Sequence, residues 1–138
     1  MPKKILIVED ETSLLEAYRA RIVVDGLPLD VSTAETLVDA VCAIEEDGPF
    51  EAIVVDGCFP HHAGADHLPE PGRACNGEKF VLWLRGSRVG YAGPIIACSS
   101  ISEFNDKMVA AGATRAAVKG YGVIDALAAL FPPTPAVK

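Results

Sequence analysis

Five residues of this 138-residue chain are of types that can do chemistry together. Glu9 and Asp10 lie in "KILIVED", Asp56 ends "EAIVVD", Ser99 lies in "GPIIACSS" and Lys119 ends "TRAAVK". Each follows a short apolar run. Three carboxylates in one place repel one another unless a cation sits among them. Hard oxygen donors with few other protein groups suit Mg²⁺, which keeps several of its waters. A hydroxyl and an ammonium beside them are suited to holding the oxygens of a phosphoryl group. Together these are the parts of a phosphoryl-transfer site. One carboxylate attacks phosphorus as nucleophile, and a cation and a lysine neutralise charge in transit. Taken singly, each residue has an ordinary explanation: a solvated turn acid or helix cap, a satisfied hydroxyl, a surface charge. The chemistry depends on their convergence, and so on the elements that carry them.

Those elements alternate. "KILIVED" is a continuous β-rich run, expected of a strand buried on both faces. From Thr12, the residues Leu15, Tyr18 and Ile22 form a helical stripe that Gly26 closes. "LDVSTA" is a weaker second strand. From Glu35, the stripe Leu37, Val41, Ile44 predicts a helix stopped by Gly48-Pro49. "EAIVVD" is the third strand, and "EKFVLWLR" the third helix, with Phe80 and Leu84 on one side. "GPIIACSS" is the fourth strand. Ser102 is expected to cap the helix whose inner face is Phe104, Met108 and Ala111. "TRAAVK" is a short fifth strand, and Ile124, Leu127 and Phe131 mark a last, brief helix before Pro132. Five βα units predict an α/β fold with a parallel sheet covered on both faces. Ligand sites of such sheets lie beyond the C-terminal strand ends, where the five candidate residues fall.

With these motifs assembled, residues 3 to 131 resemble a response-regulator receiver domain, the phospho-acceptor part of two-component signalling. "KILIVEDE" is similar to the family's first strand with its acidic pair. "IVVDGCFP" is similar to its phosphorylation strand, with proline four residues after the aspartate. "PIIACSS" and "AAGATRAAVKG" are similar to the strands that deliver its hydroxyl and its lysine. The resemblance implies a (βα)5 doubly wound sheet in the flavodoxin-like order 2-1-3-4-5. It implies that Asp56 accepts the phosphoryl group. Asp10 would bind Mg²⁺ directly and Glu9 mainly through water, with the Cys58 backbone carbonyl as a further ligand. Ser99 would hydrogen-bond the phosphoryl group and Lys119 pair with it. The donor would be a phosphohistidine on a sensor histidine kinase or phosphotransfer protein, and the output contact with a downstream protein target. The implied role is a signalling phospho-acceptor rather than an enzyme; its only catalysis is its own phosphorylation and dephosphorylation. Two positions depart from the pattern. Ala116 stands where an aromatic is usual, and Gly120 where proline is usual. A cis bond before Gly120 is not expected, so the loop after Lys119 should be shaped differently.

The family runs almost directly from its proline into the third helix. Here Asn76-Gly77 resembles that transition, so residues 61–75 are an insertion of roughly a dozen residues, a length at which structureless loops become uncommon. A tolerated surface loop is the leading expectation, since long surface insertions cost little. A lid or partner-recognition element over Asp56 is the second. A metal or redox site from Cys58, His61, His62, Asp66, His67 and Cys75 is the third, though the spacing matches no zinc motif.

Composition narrows the function classes. Half the residues are hydrophobic, 22% are charged and the net charge is -7, so nucleic acid and anionic membranes are not expected partners. No apolar run is long enough to span a membrane, and the first is too short for a signal peptide. Cytoplasmic location is expected, with Cys42, Cys58, Cys75 and Cys98 as reduced thiols. The expected organisation is a receiver at 1–131 and a tail at 132–138 that cannot continue a helix, hence a stand-alone receiver; a homodimer stays open. Two rival classes remain. One is a receiver-fold binding module that signals without phosphorylation. The other is a metal-dependent phosphatase, disfavoured by Cys58 where such enzymes need a general acid. A dinucleotide role lacks its glycine-rich fingerprint.

Overall fold

The computed structural model describes residues 2–64 and 76–133. Asp66, His67, Cys75 and most of the C-terminal tail, on which some expectations fall, lie outside the described residues. The order is β1 (Lys3–Val8), α1 (Thr12–Val24), β2 (Leu29–Ala34), α2 (Leu37–Asp47), β3 (Ala52–Val55), α3 (Asn76–Arg85), β4 (Ile95–Ala97), α4 (Ser102–Ala111), β5 (Arg115–Ala116) and α5 (Tyr121–Leu130). The strands pair in parallel in the order β2-β1-β3-β4-β5. This is the doubly wound α/β architecture, in the strand order that the resemblance implies.

The two-residue period of the strands divides the core into two layers. Leu6, Val8, Ile53, Val55, Ile95 and Ala97 face one way, against α2, α3 and α4 through Ala40, Phe80, Leu84 and Met108. Ile5, Ile7, Ala52, Val54, Ile96 and Cys98 face the other way, against α1 and α5 through Leu15, Tyr18, Ile22, Val123 and Leu127. Both faces are covered. That explains why β1 and β3 read as unbroken apolar runs rather than as alternation.

The register fixes the functional end. Val8 pairs with Ala34 and with Val55, Val55 with Ala97, and Ala97 with Ala116. One further backbone bond extends each of the four strand pairs, including Asp56 N–H to Val8 O at 3.0 Å and Ala117 N–H to Ala97 O at 2.8 Å. Glu9 and Asp56 therefore stand side by side one step past a common row. Asp10 and Ser99 lie two steps past it, and Lys119 three.

Helix termini hold most of the differences from expectation. The α2 stripe is shifted: Ala40 and Ala43 are buried, while Leu37, Val41 and Ile44 pack around them half-buried. Small side chains let this helix lie close to the sheet. Its cap is Thr36, whose Oγ1 accepts the Asp39 N–H at 3.0 Å. The next two free amides are answered from the loop after β3: Leu37 N–H donates to Pro60 O (2.9 Å) and Val38 N–H to His61 O (3.0 Å). The first residues after Asp56 thus have a structural duty to α2. Thr36→Ala should cost about 1 kcal/mol, read as a lower urea midpoint with an unchanged slope. The cap expected from Ser102 is absent. Ile101 is the N-cap of α4 and makes no side-chain bond. Asn105 does the tying instead: its Oδ1 accepts the Ser99 N–H (2.7 Å) and its Nδ2 donates to Ser99 O (2.9 Å). The last helix is not brief: α5 has ten residues, as many as α3 and α4.

Candidate functional site

Glu9 is fully buried and Asp56 nearly so, a costly placement for two adjacent acids. Their compensation is Lys119, whose Nζ lies 3.0 Å from Glu9 Oε1 and 3.2 Å from Asp56 Oδ1. Asp56 Oδ1 also accepts the Gly57 N–H at 2.8 Å. Asp10 completes the cluster: one carboxylate oxygen from each of Glu9, Asp10 and Asp56 lies within 4.8 Å of the others. Lys119 is the charged partner of the buried Glu9 Oε1. Three hard carboxylate oxygens converging in this way fit a hydrated divalent cation such as Mg²⁺.

Burial pushes the Glu9 carboxyl up to about 8, with the Asp56 charge adding to the shift and Lys119 opposing it. Burial raises Asp56 as well, and Lys119 opposes that too. For Lys119, burial works downward, but Asp56 and Glu9 outweigh it and hold the ammonium above its ordinary value. Linkage gives the sign of the pH effect. Glu9 binds its proton more tightly folded than unfolded, where its ordinary value is 4.5. Between these two values the folded state holds the extra proton, so this contribution to stability is lost as pH rises through about 8. In chelator, the melting temperature should be lower at pH 8 than at pH 6, and Mg²⁺ should raise it more at pH 8. A flat or rising metal-free profile would contradict the assignment.

Ser99 is buried at the end of β4, and its Oγ accepts the Ile101 N–H at 3.1 Å. It abuts Gly57: a Cβ on Gly57 would sit 2.8 Å from both Ser99 Oγ and Phe104 Cβ. Cys58 is half-buried two residues past Asp56. Gly77 packs the start of α3 against the end of β3; its Cβ would lie 2.4 Å from Asp56 O and its N–H donates to Gly57 O at 3.2 Å. Asn76 Nδ2 donates to Phe59 O. The chain thus leaves toward the insertion and returns from it at one neck beside Asp56. His61 and His62 are exposed, with rings edge to face at 5.7 Å. Among the described residues they join no metal-ligating cluster.

The structure brings Glu9, Asp10, Asp56 and Lys119 into contact range and sets Ser99 against the residue after Asp56. Ala116 is exposed and lines a cleft of about 500 Å³ together with Ser99, Ser100, Asn105 and Lys119. Tyr121 contributes no aromatic there. It is exposed on the other side and lines a cavity with Leu14, Tyr18, Arg21 and Ile124. The Lys119–Gly120 peptide is trans. Sequence reasoning misses three contributors. Asn105 and the Tyr18 hydroxyl, which accepts the N–H of Gly120 next to Lys119, are hidden by ordinary helical patterns. Gly77 reads as a transition residue, when its lack of a side chain is what the site needs.

The fold is that of response-regulator receiver domains. Solved structures of such domains superpose over nearly the whole chain at low identity. The receiver domain protein (CheY-like) of Methanospirillum hungatei JF-1 matches with a TM-score of 0.69 and 20% identity, over 94% of this chain and 91% of its own. Chemotaxis response regulator CheY4 of Vibrio cholerae matches with a TM-score of 0.65 and 19% identity, over 95% and 100%. The phosphorylated cyanobacterial phytochrome response regulator RcpA matches with a TM-score of 0.68 and 13% identity, over 94% and 89%. No protein-family model matches the sequence, and no curated protein does. Among the described residues, no helix is long and apolar enough to cross a membrane.

Proposed function

We propose that this chain is a receiver that accepts a phosphoryl group on Asp56 and signals by protein contact. The observation that carries the reading is Lys119 Nζ held between Glu9 and Asp56, with Asp10 in the same carboxylate cluster. A lone structural ion pair has no use for the additional acids. A phosphoryl-transfer site needs them to hold a cation. Glu9, Asp10 and Asp56, with the Cys58 carbonyl, would hold Mg²⁺. When bound, it supplies charge neutralisation for the transferring phosphoryl group.

The protein's own residues do the rest. The Gly57 N–H fixes Asp56 Oδ1, leaving the second carboxylate oxygen to form the new bond to phosphorus as the donor's bond breaks. The Lys119 ammonium stands where the incoming charge arrives. Ser99, tied to α4 through Asn105, offers its hydroxyl proton to the phosphoryl oxygens and links them to that helix. The donor is a phosphohistidine on a sensor kinase or phosphotransfer protein, and the output is contact with a downstream protein in the cytoplasm. The receiver occupies residues 1–131, and the contacts of Asn76 with Phe59 and of Gly77 with Gly57 join the two flanks of the insertion 61–75.

Incubation with Mg²⁺ and acetyl phosphate tests this: the intact mass should gain one phosphoryl group with Mg²⁺ and none in chelator. Exposed Ala116 favours a second reading, a binding module that works without phosphorylation. Absence of both an adduct and Mg²⁺ binding would establish it over the first.

A further inference from the structure

The position of the Lys119 ammonium depends on how its backbone is anchored, because the side chain itself is long and rotatable. Upstream, the last sheet bond is Ala117 N–H to Ala97 O, and Val118 is exposed. Downstream, Gly120 takes φ +91° and ψ -118°, a conformation open to glycine and strained for other residues. No side chain caps α5, whose first turn closes with Val123 N–H on Gly120 O at 3.1 Å. The Gly120 N–H points back into the core, where the Tyr18 hydroxyl accepts it at 3.1 Å across 102 residues of sequence. Tyr18 is 2% exposed and lies in the layer between α1 and the sheet. A phenylalanine would fill that space as well; what tyrosine adds is the oxygen. A buried tyrosine hydroxyl ordinarily finds such a partner. A proline at 120 would have no N–H to give. The bond therefore exists only because position 120 is not proline.

We propose that Tyr18 is a positioning residue for Lys119: its buried hydroxyl holds the Gly120 N–H and so fixes the backbone from which the ammonium reaches Glu9 and Asp56. The latch stands on geometry alone; its consequence for phosphorylation rests on the phospho-acceptor reading above. It gives Gly120 a purpose in place of a rigid ring, and it ties α1 to the lysine that neutralises the site.

The test compares wild-type protein with Tyr18→Phe. Acylation of Lys119 by an amine-reactive reagent is followed by peptide mass spectrometry, with the partly exposed Lys107, which pairs with Glu103 on α4, as internal reference. Hydrogen exchange of the Gly120 amide is followed alongside. In the variant, both Lys119 acylation and Gly120 exchange should rise roughly fivefold, about what one net hydrogen bond is worth. Lys107 should not change, and the rate of adduct formation on Asp56 should fall by a similar factor. Unchanged Lys119 and Gly120 in a folded variant would overturn the proposal. So would Lys107 rising in step with Lys119, which marks general loosening. Should the variant not fold, the wild type decides: a Gly120 amide exchanging as fast as that of exposed Val118 overturns the latch, and a protected one supports it. A wild type that forms no adduct sinks the phospho-acceptor reading, and the lysine and amide measurements still decide the latch.

Discussion

Asp56→Asn is expected to abolish the Mg²⁺-dependent phosphoryl adduct completely while leaving the protein folded. An amide oxygen still accepts the Gly57 N–H that now bonds Asp56 Oδ1 at 2.8 Å, so the loop geometry survives. The amide is no nucleophile toward phosphorus. The charge balance improves rather than worsens. Lys119 keeps Glu9 at 3.0 Å, and Glu9 loses the neighbouring charge that adds to its upward shift. The metal-free variant should therefore melt higher than wild type at pH 8, with a smaller difference at pH 6. Intact-mass measurement and thermal melts at the two pH values check both halves. A variant that still gains phosphoryl at the wild-type rate would move the acceptor elsewhere.

Gly77→Ala is expected to be the most disruptive small change near the site. In an ordinary helix this substitution gains about 1 kcal/mol from propensity. Here the new methyl would lie 2.4 Å from Asp56 O, 2.8 Å from Met108 Sδ and 3.0 Å from Gly57 Cα. The methionine can yield; the two backbone atoms cannot without shifting β3 or α3. Overpacking of this kind costs about 1–3 kcal/mol or more, so the clash should outweigh the propensity gain. The urea midpoint should fall, and adduct formation should slow because the displaced backbone is that of Asp56 itself. A neutral or stabilising result would mean that α3 retreats without disturbing β3.

The fold was legible because its signals are periodic. Leu15, Tyr18 and Ile22 mark the buried face of α1, and "LDVSTA" matches β2 residue for residue. The convergence of the candidate residues was legible from their places at strand ends, and the register shows why: parallel strands aligned on Val8, Val55, Ala97 and Ala116 must present their next few residues at one edge. What escaped was contact between residues far apart in sequence with no pattern to mark them. Ser102 looks like a helix cap because serine commonly is one. Asn105 takes over the tie to Ser99 because its amide both donates and accepts. Tyr18 reads as a core residue, which its ring is, and nothing in the sequence shows where its hydroxyl points. The contact of Asn76 with Phe59 is hidden in the same way, because the two lie 17 positions apart.

The central claim is that Asp56 carries the phosphoryl group as an acyl phosphate. Borohydride reduces an acyl phosphate to an alcohol with loss of phosphate, converting aspartate to homoserine at the modified position alone. Protein treated with Mg²⁺ and acetyl phosphate, reduced, digested and sequenced by mass spectrometry should contain homoserine at position 56 and at no other aspartate. Homoserine at Asp10 or elsewhere, or none despite a phosphoryl mass gain, would contradict the account.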